Sequence, residues 1–310
     1  MFSIFKRDKK KPKVPGWASF FEENEYAEFL KSIERYFSKR KISYNLEDGM
    51  LTLSSDDFGF YDLGLANVAQ VCKQDDPINY EEIVSAHFDS MARAHQFDTE
   101  FKQIVHDYGK IEHYIGVRLY PSDYPAAIGK DATMGRDLCG DIYATLVFDL
   151  PDSIINIQPE LAHKWNKTLD QLFETGIQNI RSKYPFDISE QKVSEFSIWF
   201  VQGDHFFAPN IVFDLNNQNK LVGSKGSLIG IPHRHSVIIY PIENIKVVKA
   251  INQLIPIIYG MNEEGPGSIS NNIFWYKDGH LENLPYKLVD NKLQFFPPEN
   301  FVGLLNTLAE

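Results

Sequence analysis

The sequence predicts an α+β protein. Antiparallel or mixed sheets pack against helices, with a helix-plus-hairpin N-terminal part and a C-terminal part ordered strand, helix pair, several strands, helix, hairpin. Three observations carry this reading. In the second half, strand-like runs follow one another instead of alternating with helices, which suits an antiparallel layer and not a doubly wound sheet. Helical periods and Asp-Gly turn pairs divide the chain into short elements. No G-x-G-x-x-G follows a strand, and no G-x-x-x-x-G-K-[ST] occurs.

Residues 1–16 form a basic head, MFSIFKRDKKKPKVPG. Over 17–41 the residues Phe21, Tyr26, Phe29, Leu30, Ile33, Tyr36 and Phe37 recur mostly at three- and four-residue steps, so a helix is expected. ISYNLEDGMLTLS alternates apolar and polar residues around Asp48-Gly49, a pair that supplies the positive φ of a tight hairpin turn. Two more helices are expected, FYDLGLANVAQVCKQ and residues 79 to about 105, with a break at Asp76-Pro77 between them. IGVRLY reads as a strand, and the Pro-, Gly- and Asp-rich stretch after it as a surface loop. These elements place an N-terminal region at 17–135 and a C-terminal domain at 136–310.

In the second domain IYATLVFDL is a strand. PELAHKW is a helical turn with Pro159 at its first position and Asn166 suited to a left-handed end. Thr168 and Gln171 have capping-box spacing, and Leu172, Phe173, Ile177 and Ile180 stripe the helix that follows. Three strand-like runs come next, SEFSIWFVQ, FFAPNIVFDL and SLIGIPHRHSVIIYPI, with turn chemistry at Gly203-Asp204 and Asn216-Asn217. Residues 243–259 are amphipathic and helical, IFWYKDGH turns at Asp278-Gly279, and FVGLLNTLA is a short terminal helix.

A chain of 310 residues, 43% hydrophobic, can bury one large core or two ordinary ones. With 23 Phe and 15 Tyr, those cores should be built on rings. No apolar run approaches the roughly 20 residues of a membrane-crossing helix. The basic start lacks the apolar stretch of a signal peptide, and Cys72 and Cys139 form no C-x-x-C pair, so a cytoplasmic protein with reduced thiols is expected. Net charge is −11, and the first 13 residues carry six Lys/Arg against one Asp. The rest of the chain is therefore −16 (−11 less the head's +5). A body that acidic disfavours nucleic acid and suits a basic protein partner. The basic run that starts at Lys6 and ends at Lys13 could make weak contact with an anionic membrane surface, with Phe2, Ile4 and Phe5 entering the interface. A solvated terminus that aids solubility is the plainer reading.

The series IYATLVFDLPDSI, PELAHKWNKTLDQLFETGIQNI, GDHFFAPNIVFDL and GIPHRHSVIIYPI resembles the YtpQ-like family of uncharacterised bacterial proteins, mainly over residues 140–285. The chain departs from that pattern at Gly176 and Ile177, where the resemblance leads one to expect Ala. The resemblance implies a bacterial cytoplasmic α+β protein and carries over no activity and no catalytic residue.

His233 and His235 would share one face of a strand, and two imidazoles on one face can hold zinc if a third ligand arrives. Asp204, His205 and Asp214 are the nearest candidates. The polar start of a strand outweighs this reading, because H-x-H alone is common. Arg234 would then face the other way, where it could hold a carboxylate or phosphate bidentately or simply lie on the surface. The loop at 129–141 has no EF-hand register, and Cys139 reads as an inert thiol before it reads as a nucleophile. Adjacent pairs such as Glu263-Glu264 diverge on a helix and read as solvated charge, and NEEGPGS reads as a lid or a plain turn. Among the tryptophans, Trp275 is expected to reach the surface as part of a protein-binding edge. The sequence therefore predicts a non-enzymatic binding or adaptor module, such as an immunity-type protein, for another and basic protein. Its binding residues would be His233, Arg234, His235, Asp204 and Trp275, with no cofactor. The alternative is a metal-dependent hydrolase built on His205, His233 and His235.

Overall fold

The computed structural model describes residues 13–289 and 292–308, so the membrane contact expected of the basic head falls almost wholly outside the described residues. The chain forms two compact units. One comprises residues up to Ile104 with Pro151–Ser153, and the other comprises Val105–Leu150 with the chain from Ile154 onward. No described helix is long and apolar enough to cross a membrane.

In the first unit α1 (Glu23–Arg40) is followed by β1 (Tyr44–Glu47), β2 (Met50–Leu53), β3 (Asp62–Gly64), α2 (Ala66–Lys73) and α3 (Tyr80–Ile104). The hairpin turns where Asp-Gly predicts it, with φ of 44° at Asp48 and 79° at Gly49. The helix expected from residue 60 starts only at Ala66, because Asp62–Gly64 pairs with β2 and completes a three-stranded sheet. The core is a packing of rings. Phe37, Phe58 and Phe88 are buried and meet one another edge-on with centroids 5.0–6.0 Å apart.

The second unit opens with α4 (Tyr108–Ile111), β4 (Ile115–Pro121), α5 (Tyr124–Ile128), β5 (Gly135–Cys139), β6 (Ile142–Asp149) and β7 (Ile154–Asn156). β6 takes β4 on one edge and both β5 and β7 on the other. This pairing moves the boundary from residue 135 to Ile104, since β4 and β5 belong to the sheet of β6. It also corrects the surface loop, whose GRDLC is a strand. Next come α6 (Pro159–Ala162) and α7 (Leu169–Lys183), with Asn166 at φ 52° and the Thr168–Gln171 capping box both as expected. α7 lies close on β4. A Cβ at Gly176 would stand 3.0 Å from the Gly116 carbonyl carbon, so the glycine lets the helix approach the strand closely.

β8 (Asp187–Val193), β9 (Phe196–Gln202), β10 (Ser227–His233), β11 (Ser236–Pro241), α8 (Val247–Glu264), β12 (Ile273–Lys277) and β13 (His280–Leu284) build the second sheet. Its six strands run in the order β13-β12-β10-β11-β9-β8. β14 (Tyr286–Val289) and β15 (Lys292–Phe295) form a small hairpin before α9 (Glu299–Leu305). The named strand pairings are all antiparallel, as the consecutive strands predict. β10 and β11 are central and buried, with α8 covering one face through Leu254, Ile255 and Ile258.

FFAPNIVFDL is not a strand. Its Ala208–Phe213 is a 3₁₀ turn, in which Pro209 fixes φ and lacks the N–H that a ladder needs. Asn210 Nδ2 ties this turn to β4 by donating to the Val117 carbonyl at 3.0 Å.

Candidate functional site

The run GIPHRHSVIIYPI is not one strand but the tip of a hairpin. β10 and β11 pair Gly230 with Ile238 and His233 with Ser236, so Arg234-His235 is a two-residue turn. One extra residue on β10 between Gly230 and His233 makes a bulge, where Pro232 costs no ladder bond. His233 and His235 therefore do not share a strand face. The segment expected as a lid is fastened to this tip. The Arg234 N–H donates to the Gly267 carbonyl (3.1 Å), and Asn262 Nδ2 donates to the Pro232 carbonyl (2.7 Å).

The histidine nitrogens are largely spent on these neighbours. The His235 N–H donates to His233 Nδ1 at 3.2 Å. Arg234 Nε donates to His235 Nε2 at 3.2 Å, which leaves the proton on Nδ1, facing the Gly203 carbonyl at 3.2 Å. His205 Nδ1 accepts from the Phe207 N–H at 3.1 Å. Burial pushes the His205 and His233 imidazoles below the usual histidine range, and the nearby His235 and Arg234 charges add to this at His233. Among the described residues no group of three His, Cys, Asp or Glu is placed to hold a metal ion, so the alternative centre on His205, His233 and His235 does not assemble. Asp214 is committed elsewhere, accepting from Asn217 and Gln218 and pairing with Arg181 at 2.8 Å.

Asp204 is exposed beside an open cleft of about 480 Å³ lined by Asp187, Gln202, Gly203, His233 and His235 as well. Trp275 does not reach the surface. It is 6% exposed, its indole N–H donates to the Lys225 carbonyl at 3.1 Å, and its ring meets Phe301 edge-on. The strand it sits on lies inside the sheet with β10 on one side, which the apolar IFWY run cannot reveal. Cys139 donates its thiol to the Leu281 carbonyl at 3.3 Å, and burial pushes the thiol above its usual range, the opposite of nucleophile activation.

Arg234 brings the hairpin tip to a group that sequence reasoning missed. Its guanidinium lies over the ring of Phe206 with 4.4 Å to the centroid. The Arg118 guanidinium lies over the same ring at 5.1 Å and over Tyr120 at 4.8 Å. Tyr120 in turn stacks on Tyr124, with centroids 3.8 Å apart and 8° between planes, and the edge of His235 meets Phe206 at 5.2 Å. The group is assembled from three places in the chain. Arg118 and Tyr120 come from one face of β4, Phe206 from the connection after β9, and Arg234 from the β10–β11 turn. The signal was an arginine inside the apolar strand IGVRLY, where Val117 and Leu119 point to the core and Arg118 must point away.

Neither guanidinium is ion-paired with a carboxylate among the described residues. Arg118 Nε is buried and has no acceptor. Burial lowers the affinity of Arg118 for its proton and the Arg234 charge adds to this, while Tyr120 and Tyr124 beside it act in the opposite direction. Burial also pushes the Tyr120 hydroxyl up to about 12, so it stays protonated and can donate. The arrangement is a positive, ring-supported patch on an otherwise acidic chain. No family model matches this chain, and neither a curated protein nor a solved structure is detectably similar to it.

Proposed function

We propose that the protein is a cytoplasmic binding or adaptor module that recognises an acidic group on another molecule through Arg118, Phe206 and Arg234. One observation carries this reading. Two guanidiniums share one aromatic ring, and neither is ion-paired with a carboxylate among the described residues. Arginine remains charged in proteins, so a half-buried pair is stable only with compensation, and an incoming anion supplies it. This patch favours an acidic group over the basic partner expected from net charge alone, because local charge at the contact governs recognition. Histidines that are hydrogen-bonded to one another and to backbone groups act here as the support of the Arg234 turn, not as acids or bases.

The test is affinity capture from the native host with wild-type protein and with an Arg118→Gln/Arg234→Gln double variant whose fold is verified by near-UV circular dichroism. A stoichiometric partner lost with the double variant supports the reading. A partner retained undiminished by the folded double variant overturns it.

A further inference from the structure

We propose that Arg118 and Arg234 form a binding site for a phosphate monoester dianion. The proposal rests on the recognition reading above and names its chemistry.

The argument begins with the number of charges. A carboxylate brings one negative charge, and it would leave one of the two guanidiniums uncompensated. A phosphate monoester brings about −1.5 to −2 at neutral pH, with three acceptor oxygens. The donors suit such a group. Arg118 Nε is a buried N–H with no acceptor. Arg234 spends its Nε on His235, and its two terminal nitrogens make no ion pair with a carboxylate among the described residues. The Tyr120 ring lies under the Arg118 guanidinium, and the Tyr120 hydroxyl already hydrogen-bonds that side chain and so positions it.

The second part is pre-organisation. An arginine on a flexible stem loses side-chain freedom when it binds, and that cost lowers affinity. Here Phe206 and Tyr120 hold both planes by cation–π contact. The Arg234 backbone is held by Gly267, whose own φ of 71° lets the loop pass close to the guanidinium stem. Elsewhere in the same unit an arginine stacked on a ring has its own carboxylate. Arg136 lies 4.2 Å over Phe173 and pairs with Asp170 at 2.7 Å. The missing counter-charge is thus particular to the Arg118–Arg234 pair and is not how this fold treats stacked arginines in general.

The experiment is isothermal titration of the full chain at low ionic strength with inorganic phosphate, O-phosphoserine, adenosine monophosphate and acetate. It is run on wild type, Arg118→Gln, Arg234→Gln and Arg234→Lys, with thermal unfolding of each variant recorded alongside. The expected result is binding of the phosphates but not of acetate, weakened about tenfold or more by either glutamine variant, the loss that follows from removing a charge-assisted hydrogen bond. Arg234→Lys keeps the charge without the fork and should fall between. O-phosphoserine and adenosine monophosphate separate a phosphorylated amino acid from a nucleotide as the source. Arginine-dependent binding of acetate as tight as that of phosphate overturns the dianion assignment and leaves the recognition reading standing. Phosphate binding that the folded variants retain in full overturns the site. Absence of heat and of thermal stabilisation with every anion at millimolar concentration overturns both.

Discussion

Arg40 in the first unit and Arg234 in the second each lay a guanidinium over an aromatic ring, 4.9 Å from the centroid of Tyr36 and 4.4 Å from that of Phe206. Arg40 pairs with the Asp89 carboxylate, which also accepts from the Tyr36 hydroxyl at 2.8 Å. The surrounding cations are treated alike, with Arg35 and Lys39 on Glu81 and Lys73 on Glu25. Arg234 has Arg118 for a neighbour instead of a carboxylate. Stacking on a ring is therefore not what distinguishes a recognition site from a structural contact. The counter-charge is. In the first unit the chain supplies its own anions, and in the second unit the Arg118–Arg234 pair has none among the described residues.

The largest effect expected from breaking this contrast is at the shared ring. Phe206→Ala removes the surface beneath both guanidiniums and the edge contact to His235. Loss of about 2 kcal/mol is expected, made of partial burial and two cation–π contacts. Phe206→Tyr should keep most of it. Chemical denaturation of the two variants gives the comparison directly, and an alanine variant as stable as wild type would show that the ring supports neither arginine.

Gly267→Ala comes next, at about 1 kcal/mol. The residue sits at φ 71°, and an added Cβ would meet Arg234 Cδ at 2.8 Å. The variant should unfold at lower denaturant and also bind phosphate more weakly, because the loop that fixes Arg234 is displaced. Loss of stability with unchanged binding would mean that Arg234 finds its position without that loop.

A smaller effect separates the two arginines themselves. Arg40→Gln removes a compensated charge and should cost roughly 0.5 kcal/mol, most of it screened at high salt. Arg234→Gln removes a cation–π contact but also a like charge, so its net effect at low salt should be near zero. Equal destabilisation by the two substitutions, measured side by side at low ionic strength, would contradict the contrast.

Much of the fold was legible, and the reason lies in local chemistry. Asp48-Gly49 and Asp278-Gly279 fix hairpins because positive φ favours those residues, and both turns adopt it. Thr168 and Gln171 mark a helix start for an equally local reason. What failed depended on partners distant in sequence. β8 is a polar edge strand that pairs with β9, and DISEQKV carries no apolar alternation. β10 and β11 are buried strands, and the polar run His233-Arg234-His235 between them carries no Gly, Asn or Asp to mark the turn at Arg234-His235. His233, Arg234, His235 and Asp204 do lie around one region, and Trp275 does not join them at the surface. Arg118 and Phe206 were invisible as a pair because they stand 88 positions apart in the chain, and the tertiary fold brings them together.

The smallest effect concerns pH, and the two units differ in its form. In the second unit burial depresses His205 and His233, and these are imidazoles that the fold holds neutral. The unfolded chain binds protons at those sites more readily, so their stabilising effect is complete above the ordinary histidine value of 6.5 and is lost as pH falls through the lower folded values. In the first unit burial lowers His87 in the same way, but that unit also carries carboxylates held below their usual range. Lys73 lowers Glu25 by hydrogen bonding, and Lys31 does the same for Glu28. Their contribution persists above the ordinary carboxylate value of 4.5 and fades only at lower pH. Thermal unfolding followed from pH 7.5 to 5 should therefore show a modest loss of stability. Replacing His205 with Gln should flatten that slope, because a neutral amide takes up no proton in either state, while Glu25→Gln should leave it unchanged. A slope that Glu25→Gln removes and His205→Gln preserves would place the acid sensitivity in the ion pairs of the first unit.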